Sequence, residues 1–527
     1  MKKTDSKTKR PAKNSAPETD GKPKTAAETV RKPKNAPDIL QKRIDFNISL
    51  CKKSNGMKIN LQRAAQNVVE LQRGLTGSRA LAGNGYMQKG ASLQAYLLYY
   101  WPVSYAQTKA ALQKAPRFFE RVAEISGSAG TSGNAGTASK AKKRAVRVLD
   151  LGSGPAPASC LLADLAQGRG EQNMAFEFCL CDSSGDALSL GKKILEAAYA
   201  KNASVETRVC NLENVFQPKN GVPEIAGKPK IAGQNENASK PKNGAAFLDG
   251  KKFDFIIASH SLNELWKGQK KRGEKIAGLL ENLADYLDEG GLMLLMEPAL
   301  LATSRALIEA RDFLIARGLK VVAPCLPSAC AISPCPALEN SNATCHAQFD
   351  WEMPQIVADL AALAGLNRAD VKMTYFVFEK AVAGSFGQEG DFGNGENSLQ
   401  DQKSGGPDFG LATVPDFSTV PSLVEAPDFC LATETGLAAA PSLANICALV
   451  VSEPMLNKAG RIRYVLCDGK SRFTLSAKNG DPNAAAQGFF GLKRYDKIKI
   501  AGAQVRSQKG EPLSLGFDEN TRLEFLL

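Results

Sequence analysis

Between about residues 39 and 125, apolar positions recur at steps of three and four: Leu61, Ala64, Ala65, Val68, Val69 and Leu71 share one helical face. This spacing predicts a helical N-terminal module over 39–126. Inside it, Tyr96, Tyr99, Tyr100, Trp101 and Tyr105 make an aromatic cluster at Pro102, expected as core rather than as a platform for stacking bases. After 145 the period changes. Short apolar runs at 146–151, 176–181, 205–210, 253–259, 291–296 and 373–378 have the length of strands. Helical patterns at 158–166, 187–200, 276–287 and 304–316 fall between them. Strands alternating with helices predict an α/β domain over 145–380, with a parallel sheet covered on both faces. From 446 to 527, β-prone runs at 448–451, 461–467, 471–475, 497–500 and 522–526 are separated by turn residues and predict a small β-rich C-terminal domain.

The intervening stretches are too polar to bury a core. Residues 1–38 are a Lys/Pro/Ala/Thr-rich basic tail expected to be disordered. Residues 217–246 repeat Lys-Pro-Lys at 228–230 and 240–242 and are expected as a disordered insertion. Residues 381–445 repeat Pro-Asp-Phe at 407–409, 415–417 and 427–429 and are expected as a disordered acidic loop.

Charge sharpens this picture. The net charge is +13; residues 1–43 contribute +8 and residues 381–445 contribute −8, so the remaining chain is itself strongly basic. A basic folded body suits a polyanionic partner such as RNA. No apolar run reaches 18 residues, so no membrane span is expected, and the start of the chain lacks the apolar stretch of a secretory signal. These features predict a cytoplasmic location. The twelve cysteines are then expected as reduced thiols or metal ligands without disulfide partners. Nothing in the sequence specifies an oligomeric state.

The first strand runs into Asp150-Leu151-Gly152-Ser153-Gly154-Pro155 and then a helix. Glycines at such a turn let a ligand approach the backbone, and the helix N-terminus favours polar groups. Pro157 stands where a dinucleotide-binding turn has its third glycine, which disfavours a pyrophosphate and suits S-adenosylmethionine (SAM). Asp150, Gly152, Ser153 and Gly154 are therefore candidate cofactor contacts. Asp182, ending the second strand, is placed for ribose hydroxyls, and Asn211, ending the third, for the adenine edge. The alternative is a nucleotide-free α/β domain with a tight turn. After the fourth strand, His260, Asn263 and Glu264 occupy the acceptor position; His260 is a candidate base or a packed structural histidine. Neither an Asn/Asp-Pro-Pro-Tyr/Phe run nor a Pro-Cys follows that strand, so the sequence does not specify the chemistry.

Cys325, Cys330, Cys335 and Cys345 fall within one proline-rich stretch, 323–346. The spacing is not the paired Cys-x-x-Cys of a zinc ribbon. Cys-Pro and clustered thiols in loop sequence suit an iron–sulfur cluster, with a four-cysteine zinc site as the alternative.

Taken together, Leu149–Pro155, His260-Ser261-Leu262-Asn263-Glu264-Leu265, Glu297-Pro298, Val322-Ala323-Pro324-Cys325, Cys335-Pro336, Cys345-His346, Met373-Thr374-Tyr375-Phe376 and Cys467-Asp468-Gly469 resemble the small-ribosomal-subunit methyltransferase-like family of bacteria and mitochondria. The resemblance covers about residues 40–500. It implies a class I SAM-dependent methyltransferase (Rossmann-like) core carrying a [4Fe–4S] cluster, and by motif the cluster ligands are Cys325, Cys335, Cys345 and Cys467. This chain departs from the family pattern in the longer spacing before Cys335-Pro336 and in the extra Cys330, which could substitute for Cys335. The family's histidine after the first cysteine is replaced by Leu326-Pro327-Ser328.

The resulting expectation is a SAM-dependent methyltransferase-like protein of the small ribosomal subunit, binding rRNA and acting in translation or ribosome assembly. One alternative is a non-catalytic assembly factor that uses SAM and the cluster structurally. Another is a small-molecule methyltransferase, which the basic charge disfavours.

Overall fold

The computed structural model describes residues 39–55, 59–77, 87, 90–127, 144–168, 174–215, 248, 250–382, 445–507 and 512–526. The expectations for 1–38, 217–246 and nearly all of 381–445 concern residues outside these.

The chain opens with helices α1 (Ile39–Asn55), α2 (Leu61–Gln72), α3 (Gly90–Ala95), α4 (Trp101–Gln113) and α5 (Pro116–Ser126). Asn60 caps α2 by accepting from the Arg63 amide, and Gly127, left-handed at φ 76°, ends α5. Between α3 and α4, Tyr96–Tyr100 forms a π-turn. Trp101 and Tyr105, fully buried, stack at 5.3 Å between ring centroids.

The central sheet is built from β1 (Val146–Leu151), β2 (Phe176–Asp182), β3 (Ala203–Val209), β4 (Phe253–Ser259), β5 (Leu287–Pro298), β6 (Leu319–Ala323), β7 (Ala347–Asp350) and β8 (Asp370–Lys380). Helices α6 (Pro157–Gly168), α7 (Gly185–Tyr199), α8 (Leu212–Val215), α9 (Arg272–Tyr286), α10 (Leu301–Ala316) and α11 (Gln355–Ala364) connect and flank them. Strand order is β3-β2-β1-β4-β5-β8-β6, with β7 pairing β8 at one end. β1 to β5 run parallel and β8 is antiparallel to both β5 and β6, so the sheet is mixed where a parallel one was expected. This is a Rossmann-like α/β sheet with one antiparallel strand, β8, inserted between β5 and β6. The strands are near-continuous apolar runs because both faces are covered; in β4 every side chain but the last is buried. The one charged residue inside β4, Asp254, is held by Arg121 at 2.9 Å, by both guanidinium nitrogens of Arg144 and by the Arg147 amide. Burial raises its carboxyl, and the arginine hydrogen bonds outweigh that and hold it below the usual range.

The N-terminal helices share the sheet's core: Leu40, Trp101 and Phe118 pack in one cluster with Leu149, Ile256 and Phe376. Arg43 of α1 pairs with Asp164 of α6, whose carboxylate also accepts from the Tyr105 and Tyr199 hydroxyls at 2.6 and 2.8 Å. A smaller core joins α2 to α11 through Val68, Leu71, Val357 and Leu360. Periodicity did not reveal β6, β7 or α11.

The C-terminal region is a second sheet of β9 (Ile446–Val450), β10 (Met455–Leu456), β11 (Arg461–Cys467), β12 (Arg472–Lys478), β13 (Lys497–Ala501), β14 (Gln504–Val505), β15 (Ser514–Gly516) and β16 (Arg522–Leu526), with the short helix α12 (Pro482–Ala486). It has its own core around Tyr464, Leu475 and Phe489. Leu449, Val451 and Tyr495 instead pack into the core of the first sheet. No helix among the described residues is long and apolar enough to cross a membrane.

Candidate functional site

Strand order reverses between β1 and β4, and in open α/β sheets the crevice outside the carboxyl ends of the strands at that point receives ligands. A cavity of about 450 Å³ lies there, bordered by Gly152 after β1, Asp182–Ser184 after β2, Cys210 and Asn211 after β3, and Ser259–Ser261 after β4.

The turn after β1 explains its glycines. Gly152 sits at φ 65° and Gly154 at φ 52°. The amides of Gly152 and Ser153 both donate to the Cys181 carbonyl, at 2.7 and 3.1 Å, and the Gly154 amide donates to Asp182 Oδ2 at 2.9 Å. A Cβ on Gly152 would stand 2.4 Å from Ser261 Cβ. Pro157 opens α6, where a missing amide hydrogen is harmless.

Asp150 lies beneath the turn rather than in the cavity. Burial pushes its carboxyl up to about 7 although Ser159 donates to it at 2.7 Å. Asp182 faces the cavity. Burial raises its carboxyl; the amides of Gly154 and Ser184 each hold one of its oxygens, leaving further lone pairs for ribose hydroxyls. Asn211 is exposed at the rim, where its side chain accepts from the Glu213 amide at 2.9 Å. Of the expected cofactor residues, Gly152, Asp182 and Asn211 border the cavity, Ser153 and Gly154 complete the buried turn, and Asp150 lies beneath it. The set fits an amino-acid-bearing nucleoside.

On the β4 side of the cavity, His260 adopts φ 59°, and its Nε2 lies 2.9 Å from Gln107 Oε1. Gln107 Nε2 donates to the Lys372 carbonyl at 2.9 Å, which fixes the amide's orientation and makes Oε1 the group facing the imidazole. His260 Nε2 therefore carries the proton and Nδ1 the lone pair. That Nδ1 is buried without a hydrogen-bond partner among the described residues. Burial, helped by the Arg368 guanidinium, pushes the imidazole down to about 4, so it is neutral at pH 7. Asn263 is engaged structurally: its side chain donates to the His260 carbonyl at 2.9 Å and its amide to Glu297 Oε1 at 3.1 Å. Glu264 borders the cavity.

Among the contributors that were not legible as site residues are Tyr96 and Tyr100 from the π-turn, Gln107 from α4, and Arg368 and Lys372 from the approach to β8 and its first residues. The aromatic cluster divides between roles. Tyr99, Trp101 and Tyr105 are fully buried, while the stacked Tyr96 and Tyr100 border the cavity.

The cysteines gather at a second place, where β6, β7 and the C-terminal sheet meet. Cys325 follows β6, Cys335 precedes a short turn at Pro336–Glu339, Cys345 precedes β7, and Cys467 ends β11. Cys325 lies within electrostatic reach of Cys345 and Cys467, and Cys335 of Cys345 and Cys325. Burial first, and these neighbours with it, push the thiols of Cys325, Cys335 and Cys467 up to about 12. Cys330 sits on the turn between Cys325 and Cys335: its amide donates to the Pro327 carbonyl at 3.2 Å and its carbonyl accepts from the Val321 amide at 2.8 Å. Gly469, at φ 97°, brings the Cys467 loop against that turn, with room for no Cβ: one would stand 2.2 Å from Ala329 Cβ. Among the described residues, no three His, Cys, Asp or Glu side chains form a group placed to hold a single metal ion.

One comparison agrees in part with the motif resemblance. Residues 137–377 match the family model described as mitochondrial small ribosomal subunit Rsm22. Among solved structures, TehB from Haemophilus influenzae matches at 12% identity over 45% of this chain and 58% of that one, with a TM-score of 0.23. A putative class I SAM-dependent methyltransferase from Listeria monocytogenes matches at 9% identity over 66% and 88%, TM-score 0.27. An rRNA methylase from Streptococcus thermophilus matches at 11% identity over 45% and 88%, TM-score 0.21. The search of curated proteins gave no match.

Proposed function

We propose that this protein is a SAM-dependent methyltransferase-like factor of the small ribosomal subunit, acting on or bound to its rRNA. The observation that carries the reading is the cavity at the β1/β4 reversal, where the glycine turn and Asp182 meet His260, within a segment that matches a small-ribosomal-subunit family. In this reading the helical module 39–126, the core 145–380 and the β-rich domain 446–527 work as one unit.

Asp182 would hold the ribose, the Gly152–Gly154 turn would admit the amino-acid end, and Asn211 would meet the adenine edge. When bound, SAM supplies an electrophilic methyl group. His260 Nδ1 would accept the proton that an N–H or O–H acceptor gives up, while Gln107 holds the tautomer. Tyr96 and Tyr100 offer a ring surface on the acceptor side, and Arg368 and Lys372 place positive charge at its edge. These features suit a nucleobase on a phosphate backbone.

Cys325, Cys335, Cys345 and Cys467 would hold a [4Fe–4S] cluster. Cys335 and Cys345 are buried and Cys325 and Cys467 are half-buried against the same core, which supports this, as does a donor set made only of thiols. The loops that carry them lack the paired Cys-x-x-Cys of a zinc ribbon, so a zinc site is the weaker fit. The cluster would staple the C-terminal domain to the core.

The test is transfer of labelled methyl from SAM to small-subunit particles. Label in rRNA that vanishes with His260→Ala supports catalysis. Particle binding without label supports the second reading, a non-catalytic assembly factor. That reading is favoured by Asn263, whose side chain is committed to holding its own loop.

A further inference from the structure

Buried thiols and metal-bound thiolates ask different things of their surroundings. A neutral thiol is a poor hydrogen-bond acceptor. A thiolate or bridging sulfide carries negative charge into a dry pocket and needs donors.

Three side chains bring such donors to the cysteine pocket from three separate elements. The Tyr495 hydroxyl, from the loop before β13, lies 3.2 Å from Cys345 Sγ. Tyr375, on β8, is fully buried, and its hydroxyl has no hydrogen-bond partner among the described residues. It lies within electrostatic reach of Cys325 and Cys345. Its ring meets that of Tyr495 edge-on at 5.9 Å. Arg311, on α10, is 1% exposed. Its Nη1 contacts Asp312, its Nη2 donates weakly to the Ala329 carbonyl at 3.4 Å, and its Nε has no acceptor among the described residues. The guanidinium lies within electrostatic reach of Cys325 and Cys335. Asp312 in turn accepts from the Cys335 amide at 2.9 Å, so the arginine is tied to the loop it faces.

Backbone strain points the same way. Tyr495 is buried at φ 70°, a left-handed conformation that aromatic residues avoid. Its amide is held by the Val450 carbonyl at 2.8 Å. A strained residue that persists in a packed setting marks a place where orientation matters, and here the orientation delivers a hydroxyl to a sulfur.

We infer that Arg311, Tyr375 and Tyr495 are the donor shell of the sulfur centre: they hydrogen-bond its sulfurs, balance its negative charge and raise its reduction potential. This rests on the reading that Cys325, Cys335, Cys345 and Cys467 hold an iron–sulfur cluster. Hydrogen bonds and positive charge stabilise the reduced, more negative state, so removing them moves the potential down. Tyr495 comes from the C-terminal domain, so the centre's potential depends on that domain being docked.

The test uses the full chain purified without oxygen, as wild type, Tyr495→Phe, Arg311→Lys and Arg311→Met. Iron and sulfide content, circular dichroism, midpoint potential by dye-mediated titration and bleaching rate in air are measured. Tyr495→Phe should keep its iron and its circular dichroism, titrate at a more negative potential and bleach several-fold faster. Arg311→Lys should lie between wild type and Arg311→Met. If Arg311→Met fails to fold, Tyr495→Phe alone decides. Iron-loaded Tyr495→Phe with wild-type potential and bleaching rate overturns the donor shell while leaving the cluster reading intact. Wild-type protein that carries no iron overturns the cluster reading, and the donor shell with it.

Discussion

His260 Nε2 lies 2.9 Å from Gln107 Oε1, so the N-terminal helical module holds the imidazole of the α/β core from 153 residues away. Because Gln107 is itself anchored to the Lys372 carbonyl, the contact selects a tautomer as well as a position. If His260 Nδ1 is the base, His260→Ala should lower methyl transfer by about 10²–10⁴-fold, the usual worth of a positioned base. Gln107→Leu should cost less, because a base remains but its tautomer is free. SAM affinity by calorimetry should be nearly unchanged in both. Equal methyl transfer by wild type and His260→Ala would remove the histidine from the chemistry.

Gly152 tests the cofactor pocket. A Cβ there meets Ser261 Cβ at 2.4 Å and sits at φ 65°, which disfavours an L side chain by about 1–2 kcal/mol. Gly152→Ala should push Ser261 into the cavity and weaken SAM binding at least tenfold, read by calorimetry. Circular dichroism should stay as in wild type. Undiminished affinity would place SAM elsewhere.

Asp164 carries the junction between α1 and the core. Its carboxylate is buried and accepts from Arg43, Tyr105 and Tyr199. Asp164→Asn leaves the Arg43 charge partly buried without its partner, and removing one member of such a pair costs about 3–5 kcal/mol. Denaturant unfolding should show a loss of that size, and proteolysis should cut α1 first. A loss under about 1 kcal/mol would mean that the pair is solvent-screened.

The parts legible in the sequence are those encoded locally. β1 and its glycine turn stand out because a short apolar run, two glycines and a proline are neighbours in the chain, and His260 stands out because it follows the next strand of the fold. What was not legible arises from long-range packing. Gln107 is a site residue only because α4 lies against β8, and Tyr96 differs from Tyr99 only in which way a π-turn points it. α11 shares its core with α2 from the far end of the domain, so no window of sequence contains both faces. Cys467 was reached through resemblance alone; its approach to Cys345 depends on how the second sheet docks. β7 is four residues beside a cysteine and has too little pattern to read.

Glu297 should give the protein a pH-dependent stability. It lies buried near the end of β5, with Oε1 accepting from the Asn263 amide and Oε2 without a partner among the described residues. Burial pushes its carboxyl up to about 8 from 4.5. Between those values the unfolded chain releases the proton and the folded chain keeps it. This group's contribution to stability is therefore complete below about 4.5 and is lost as pH rises towards 8, by up to about 1.4 kcal/mol per pH unit. Glu297→Gln cannot ionise. Its thermal midpoint should stay near that of wild type at pH 5 and exceed it at pH 8. A gap that does not widen with pH would show that Glu297 is already ionised in the folded protein.

Cys467 tests whether one centre joins the two sheets. It ends β11, and the loop that follows is fixed against the first sheet by Gly469 and by Arg472, which donates to the Thr344 carbonyl at 2.8 Å. If its thiolate is a cluster ligand, Cys467→Ser should lose most of the visible sulfur-to-iron absorption and its iron, because a serine hydroxyl is a poor replacement for thiolate. The C-terminal domain should then be released earlier in limited proteolysis. Cys330→Ser is the matched comparison: if Cys335 and Cys467 rather than Cys330 are ligands, its spectrum should be unchanged. Lost absorption in Cys330→Ser with a normal spectrum in Cys467→Ser would exchange the two residues as ligands and detach the second sheet from the centre.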